Sequence, residues 1–291
     1  MKGRSNMLDK GDKVGLIACS DGLKLDRKEA FHQLLEILIE LGLDPVVADN
    51  IFRSDFSPFS GTPKERAKSL EQFYRDPSIK AIFDVSGGDS ANEILPFINF
   101  DRIRKHPKPF VGLSDLTVLL NAIYQKTNLP TYHFQIMTLV KSMEQINHFK
   151  QFWFNNRLLN IPQFNYHFLR GDHLKEIIIG GNLRCFLKLA GTLYFPDTKG
   201  RILLVESLSG GPSRQASYLA QLDQLGVFKT LSGVLIGRFT TMENEKYSPT
   251  IEELVLTITE DYQLPVIKTE DVGHGNHGKV VPIGIPLTFH K

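Results

Sequence analysis

Residues 109–124, Pro109-Phe-Val-Gly-Leu-Ser-Asp-Leu-Thr-Val-Leu-Leu-Asn-Ala-Ile-Tyr124, carry a short apolar run into a longer apolar one through Gly112-Leu113-Ser114-Asp115. The first run, 109–113, has the length of a buried strand, and 116–124 has the character of a buried helix. The junction therefore turns a strand into a helix. Upstream the same alternation recurs. Residues 13–18 read as a buried strand. In 28–43, Phe31, Leu34, Leu35, Leu38 and Leu41 keep helical spacing and Gly42 supplies a stop. Residues 45–48 return as a strand. A second helix opens at Thr62, where Thr62 can cap, Pro63 suits the first helical position and Glu65 can close a capping box. Residues 81–85 are another strand. Strand and helix alternating at this spacing imply an α/β fold, a mainly parallel sheet flanked by helices.

The stretch from about 141 to 174 breaks this rhythm, being rich in Asn, Gln and aromatics without a sustained period. Beyond it, strands are expected at 202–205, 233–236 and 266–267, with helices around 216–225 and 251–260. The expected organisation is an N-terminal α/β domain over 7–145, a linker over 146–174 and a smaller β-rich C-terminal domain over 175–291. At 291 residues the chain has ample length for two cores. Its 34 Lys and Arg against 32 Asp and Glu leave a net charge of +2, with no long run of like charge. Nucleic acid and membrane are therefore not expected as partners, and a small molecule is. Two cysteines, Cys19 and Cys185, are too few for a disulfide framework or a Cys-rich metal site. With neither a signal-type apolar segment nor a membrane-length apolar run, a cytoplasmic location is the expectation. Met1 to Asn6, ahead of Met7, read either as native or as a vector-derived extension.

Four local features can carry chemistry, and each has a plainer reading. Gly87-Gly88, after the strand 81–85, can offer backbone N–H groups to an oxyanion, or can simply make a tight turn. Ser114 stands where a nucleophilic hydroxyl is lifted above a sheet, although the second glycine of the hydrolase elbow is missing; alternatively Ser114 or Asp115 caps a helix. Glu206 ends the apolar strand 202–205, where a carboxylate needs a partner unless it reaches solvent. The loop Gly273-His274-Gly275-Asn276-His277-Gly278 suits a general base better than a metal, since two histidines three apart lack further ligands. Together these residues form the inventory for acyl transfer by an activated serine. A serine hydroxyl is barely nucleophilic at neutral pH and needs a base, the base needs an orienting carboxylate, and the tetrahedral oxyanion needs donors.

Four ordered segments sharpen this reading: GGDSANEILPFINFDRIRKHPKPFVGLSDLTVLLNAI, GGNLRCFLKLAGTLYFPDTKGRILLVES, YLAQLDQLGVFKTLSGVLIGRF and DVGHGNHGKVVPIG. In order, they resemble the LD-carboxypeptidase family of serine peptidases, and with KGDKVGLIACS the likeness covers nearly the whole chain. The resemblance implies an N-terminal α/β domain and a smaller β-rich C-terminal domain with the site between them. It implies Ser114 as nucleophile, Glu206 as orienting carboxylate, His274 as base, and the N–H groups of Asp115 and Gly88 as oxyanion donors. It also implies no cofactor, no metal, and a cytoplasmic role in murein recycling, releasing D-alanine from a muropeptide-type tetrapeptide. A microcin C-type antibiotic hydrolase and a catalytically silent binding protein of the same fold are the alternatives. The oligomeric state is open, with a homodimer among the choices. Three segments depart from the family's usual pattern: His133-Phe134-Gln135 stands for His-Gly-Pro, Glu206-Ser207 for Glu-Asp, and Ser217 for an Arg, with Arg214 nearby. Arg214 and Lys279 are candidates for holding the substrate's terminal carboxylate.

Overall fold

The computed structural model describes residues 7–54, 56–155 and 160–291. The candidate extension, Met1 to Asn6, lies outside the described residues. Twelve strands are present among them: β1 (Lys13–Ile17), β2 (Asp44–Val47), β3 (Ile79–Asp84), β4 (Phe110–Gly112), β5 (Thr131–His133), β6 (His167–Arg170), β7 (His173–Asn182), β8 (Ile202–Ser207), β9 (Gly233–Phe239), β10 (Val266–Lys268), β11 (Val281–Ile283) and β12 (Pro286–His290). They make two six-stranded sheets, ordered β11-β5-β4-β3-β1-β2 and β12-β7-β8-β9-β10-β6.

In the first sheet β1 to β5 are mutually parallel, and β11 closes the edge antiparallel to β5. The near-continuous apolar runs of β1, β3 and β4 are what a sheet covered on both faces requires. The helix Pro63–Arg75 begins as the sequence predicts: Thr62 Oγ1 accepts from the Glu65 N–H, and the Thr62 N–H donates to Glu65 Oε2 at 2.8 Å. The second sheet has a parallel centre, β7 to β10, and antiparallel edges in β12 and β6. Helices Pro212–Gln224 and Ile251–Ile258 supply crossovers of the kind that parallel strands demand.

The stretch 146–174 carries more structure than its composition suggests. Helix Met143–Asn155 buries Phe149, Phe152 and Trp153 under the first sheet, with Trp153 edge-on to Phe83 and Tyr132. Gln145 and His148 are buried on the same helix, which is why no clean apolar period marks it. The strand β6 then joins β10. Sheet membership also crosses the chain's midpoint, since β11 returns from the C-terminal half to the first sheet.

Helix Thr117–Thr127 binds the two halves together. Nine of its eleven residues are buried, so it lacks a solvent face and must lie between layers. Asn121 donates through Nδ2 to the Gly180 carbonyl and accepts the Gly180 N–H, at 2.9 and 2.8 Å, while Thr117 Oγ1 accepts the Asn182 N–H at 2.9 Å. A Cβ at Gly181 would fall 2.6 Å from Thr117 Oγ1, so glycine there is what permits this approach. No helix among the described residues is long and apolar enough to cross a membrane.

Candidate active site

The C-terminal ends of the two parallel sheets face a common cleft, the place where open α/β sheets bind ligands. Ser114 follows β4 with φ of 64°, a left-handed backbone that a serine adopts only when its surroundings hold it there. That strained turn lifts the side chain off the strand end toward Gly87, where an added Cβ would lie 3.9 Å from Ser114 Oγ. Gly88 has φ of 137°, and a side chain there would collide with the Asp21 carboxylate, which accepts from the Asp89 N–H and Ser90 Oγ. Among the described residues the N–H groups of Gly88 and Asp115 donate to no protein acceptor. Two unengaged donors beside a strained serine have the chemistry of an oxyanion hole.

Asp115 does not cap the helix that follows it. Its buried carboxylate accepts from Ser20 Oγ and the Ala91 N–H at 2.7 Å each, and from Lys188 Nζ at 2.6 Å. Lys188 also donates to the Asp89 carbonyl at 2.7 Å. The loops bearing Ser114 and Gly88 are thus tied to the C-terminal half through one cation. Arg184 adds a second tie, donating to Asp89 and to the Gly88 carbonyl and holding the Asp89 carboxyl below its usual range. Behind these loops, buried Arg66 donates to the carbonyls of Cys19, Ser20 and Ser90 and pairs with Glu93 at 2.7 Å.

Glu206 is the penultimate residue of β8 and has no solvent exposure. Its Oε2 accepts from His274 Nδ1 at 2.5 Å and from the His274 N–H at 3.2 Å. Burial opposes ionisation, but two imidazoles outweigh it: His274, and His133 at 3.8 Å, keep the Glu206 carboxyl well below the usual carboxylate range. An ionised carboxylate only accepts, so Nδ1 of His274 carries a proton, and in the neutral ring Nε2 keeps its lone pair. Thr240 Oγ1 donates to the His274 carbonyl at 3.0 Å, fixing the loop.

The geometry therefore brings Glu206 and His274 into direct contact. Ser114 stands apart from that pair, with no hydrogen bond from its hydroxyl to His274 among the described residues. It lines a cleft of about 360 Å³ with Gly88, Asn182, Arg184, Arg214 and Tyr218. Of the two carboxylate-binding candidates, Arg214 lines this cleft, whereas Lys279 lies against Glu144 at 3.4 Å. His277 is exposed and 3.5 Å from Glu144. Cys19 and Cys185 are free, buried, and pushed to high pKa by that burial.

Residues 14–134 match the LD-carboxypeptidase N-terminal domain, and 176–289 match the LD-carboxypeptidase C-terminal domain. The chain belongs to the LD-carboxypeptidase family. A probable murein peptide carboxypeptidase of Bacillus subtilis is 29% identical, over 95% of this chain and 88% of that protein. The microcin C7 self-immunity protein MccF of Escherichia coli is 26% identical over 96% and 90%. A crystal structure of an MccF-like protein from Bacillus anthracis superposes with a TM-score of 0.83 at 27% identity, covering 98% and 95%. This LD-carboxypeptidase-family chain also holds site-forming residues that local sequence reading passed over. His133 entered only as the first residue of a segment that departs from the family's His-Gly-Pro, yet its ring lies against Glu206. Arg184 and Lys188, four apart, share the helical face that meets Asp89 and Asp115, and that spacing was the available signal.

Proposed function

We propose that this chain is a serine carboxypeptidase that cleaves an L,D-peptide bond and releases the terminal D-alanine of a murein tetrapeptide. The observation that carries the reading is the 2.5 Å contact of buried Glu206 with His274 Nδ1, which leaves Nε2 of the neutral ring free to act as a base. In this reading His274 Nε2 takes the proton of Ser114 Oγ as the oxygen attacks the acyl carbonyl. The contact between base and nucleophile tightens when substrate binds, as is common in such sites. The N–H groups of Gly88 and Asp115 receive the oxyanion. The C–N bond then breaks, the imidazolium protonates the leaving amine, and water repeats the cycle on the acyl-enzyme.

Arg214, exposed in the cleft, is the candidate for the substrate's free carboxylate. The likeness to MccF favours a second reading, a peptide-antibiotic amide as substrate. The test is mass spectrometry of a tetrapeptide ending in an L-centre to D-alanine bond, its all-L analogue and an aminoacyl-nucleotide amide, with wild type and Ser114→Ala. Ser114-dependent loss of D-alanine, with the all-L analogue left intact, supports the proposal. Ser114-dependent cleavage of the nucleotide conjugate alone would transfer it to the second reading, and cleavage of nothing would leave a binding protein.

A further inference from the structure

Resting on the serine-hydrolase reading above, we propose that His133 is a positioning residue for Glu206, so that the carboxylate works between two imidazoles rather than one. His133 ends β5, where it pairs in register with Gly112 of β4 on one side and Val281 of β11 on the other. Both His133 and Glu206 are fully buried, and His133 Nε2 lies 3.8 Å from Glu206 Oε1. Neither ring nitrogen of His133 has a hydrogen-bond partner among the described residues, nor does Glu206 Oε1. Leaving buried polar atoms unpaired is costly, and here the donor and acceptor that can satisfy each other face one another across about an ångström of excess distance. Glu206 Oε2 is already taken by His274, so Oε1 is the atom His133 serves.

The surroundings are cleared for this pair. A Cβ at Gly181 would come 3.0 Å from His133 Cδ2, one at Gly237 3.2 Å from Glu206 Cβ, and one at Gly273 3.0 Å from Glu206 Oε2. Three glycines from β7, β9 and the His274 loop thus make room for an imidazole–carboxylate–imidazole row. Among the described residues the charged and titratable groups nearest Glu206 are His133 on β5 and His274 on the loop, with Lys268 of β10 further off on the Gly237 carbonyl at 3.0 Å. Arg238 on β9 lies next out, with its Nε directed to Glu243 at 3.2 Å.

The consequence for catalysis follows from where the negative charge sits. A His133 Nε2–H directed at Oε1 draws charge away from Oε2 and fixes the carboxylate's rotation. Without it, Glu206 holds a protonated His274 more tightly, and the acid limb of kcat/KM moves to higher pH. His133 is fully buried and does not line the cleft, so the loss is expected in kcat and not in KM.

The experiment compares wild type, His133→Phe, His133→Gln and His274→Ala in D-alanine release between pH 5 and 9, with folding checked by circular dichroism. For His133→Phe we expect kcat down about tenfold or more, KM within about twofold, and the acid limb raised by roughly half a pH unit or more. His133→Gln keeps an N–H donor and restores the limb toward wild type. If His274→Ala is inactive while His133→Phe matches wild type in rate and profile, the His133 proposal alone is refuted. If His274→Ala keeps full turnover, the Glu206–His274 pair is not the catalytic base and this proposal fails with that reading. Should His133→Phe not fold, ¹⁵N-histidine NMR of the wild type decides: a His133 Nε2 bearing a proton across pH 5–8 supports the row, and an unprotonated Nε2 overturns it.

Discussion

Replacing Lys188 with Met tests whether one cation holds the serine loop in place. The Asp115 side chain has no exposure, and its three contacts are two neutral donors at 2.7 Å and Lys188 Nζ at 2.6 Å. Methionine keeps most of the lysine stem and removes the charge, so the change strands a buried carboxylate on two neutral donors. Removing one partner of a buried pair costs about 3 kcal/mol, the low end of the usual range, because Lys188 keeps 18% exposure and part of its charge is already solvated. For a chain of this size that is a fall in Tm of roughly 5 °C. Turnover should fall as well, since Asp115 supplies a proposed oxyanion donor. The discriminating assay is calorimetry on Lys188→Met, Asp115→Asn and the double variant. The amide introduced by Asp115→Asn would still accept from Ser20 and Ala91 without carrying a buried charge, so the double variant should recover at least about 1 kcal/mol over Lys188→Met alone. A Lys188→Met protein within a degree of wild type, or a double variant no more stable than the single, would refute the reasoning.

Three further outcomes are expected. His274→Ala should lower kcat by about 10³-fold or more while His277→Ala, exposed beside Glu144, changes it little; the opposite ranking in D-alanine release removes His274 from the base role. His148 is buried and accepts the Val280 N–H at Nε2, and burial pulls its pKa down to about 4. The unfolded state thus binds the extra proton first as pH falls, so stability present above about pH 6.5 is lost toward pH 4. His148→Gln should flatten that slope in urea titrations, and an unchanged slope would contradict it. Iodoacetamide on the folded protein at pH 8 should leave turnover intact, because both thiols are buried and held protonated; stoichiometric inactivation tracking Cys19 or Cys185 would say otherwise.

The parallel first sheet was legible because strands covered on both faces must be continuously apolar, as 13–18 and 81–85 are; in the second half 202–205 was legible as a strand, but the parallel centre of its sheet was not. Glu206 was legible for the complementary reason, a carboxylate ending such a strand. What stayed hidden was long-range. Nothing local to 281–283 says that this strand leaves its own half to pair with Thr131–His133, and that crossing is what brings the His274 loop and the end of β5 around Glu206. Helix Met143–Asn155 escaped a periodicity reading because its buried face includes Gln145 and His148. Asp115 was ambiguous as a cap because a side chain bonded to residues 24, 73 and 95 positions away carries no local signature.

The central claim is that Ser114 is a nucleophile activated by the Glu206–His274 pair, and a fluorophosphonate probe followed by peptide mass spectrometry tests it most directly. One adduct per chain is expected, on the peptide containing Ser114, absent in Ser114→Ala and strongly slowed in His274→Ala and Glu206→Gln. Turnover of the tetrapeptide that continues with Ser114 unlabelled, or an adduct seated on another residue, would contradict it.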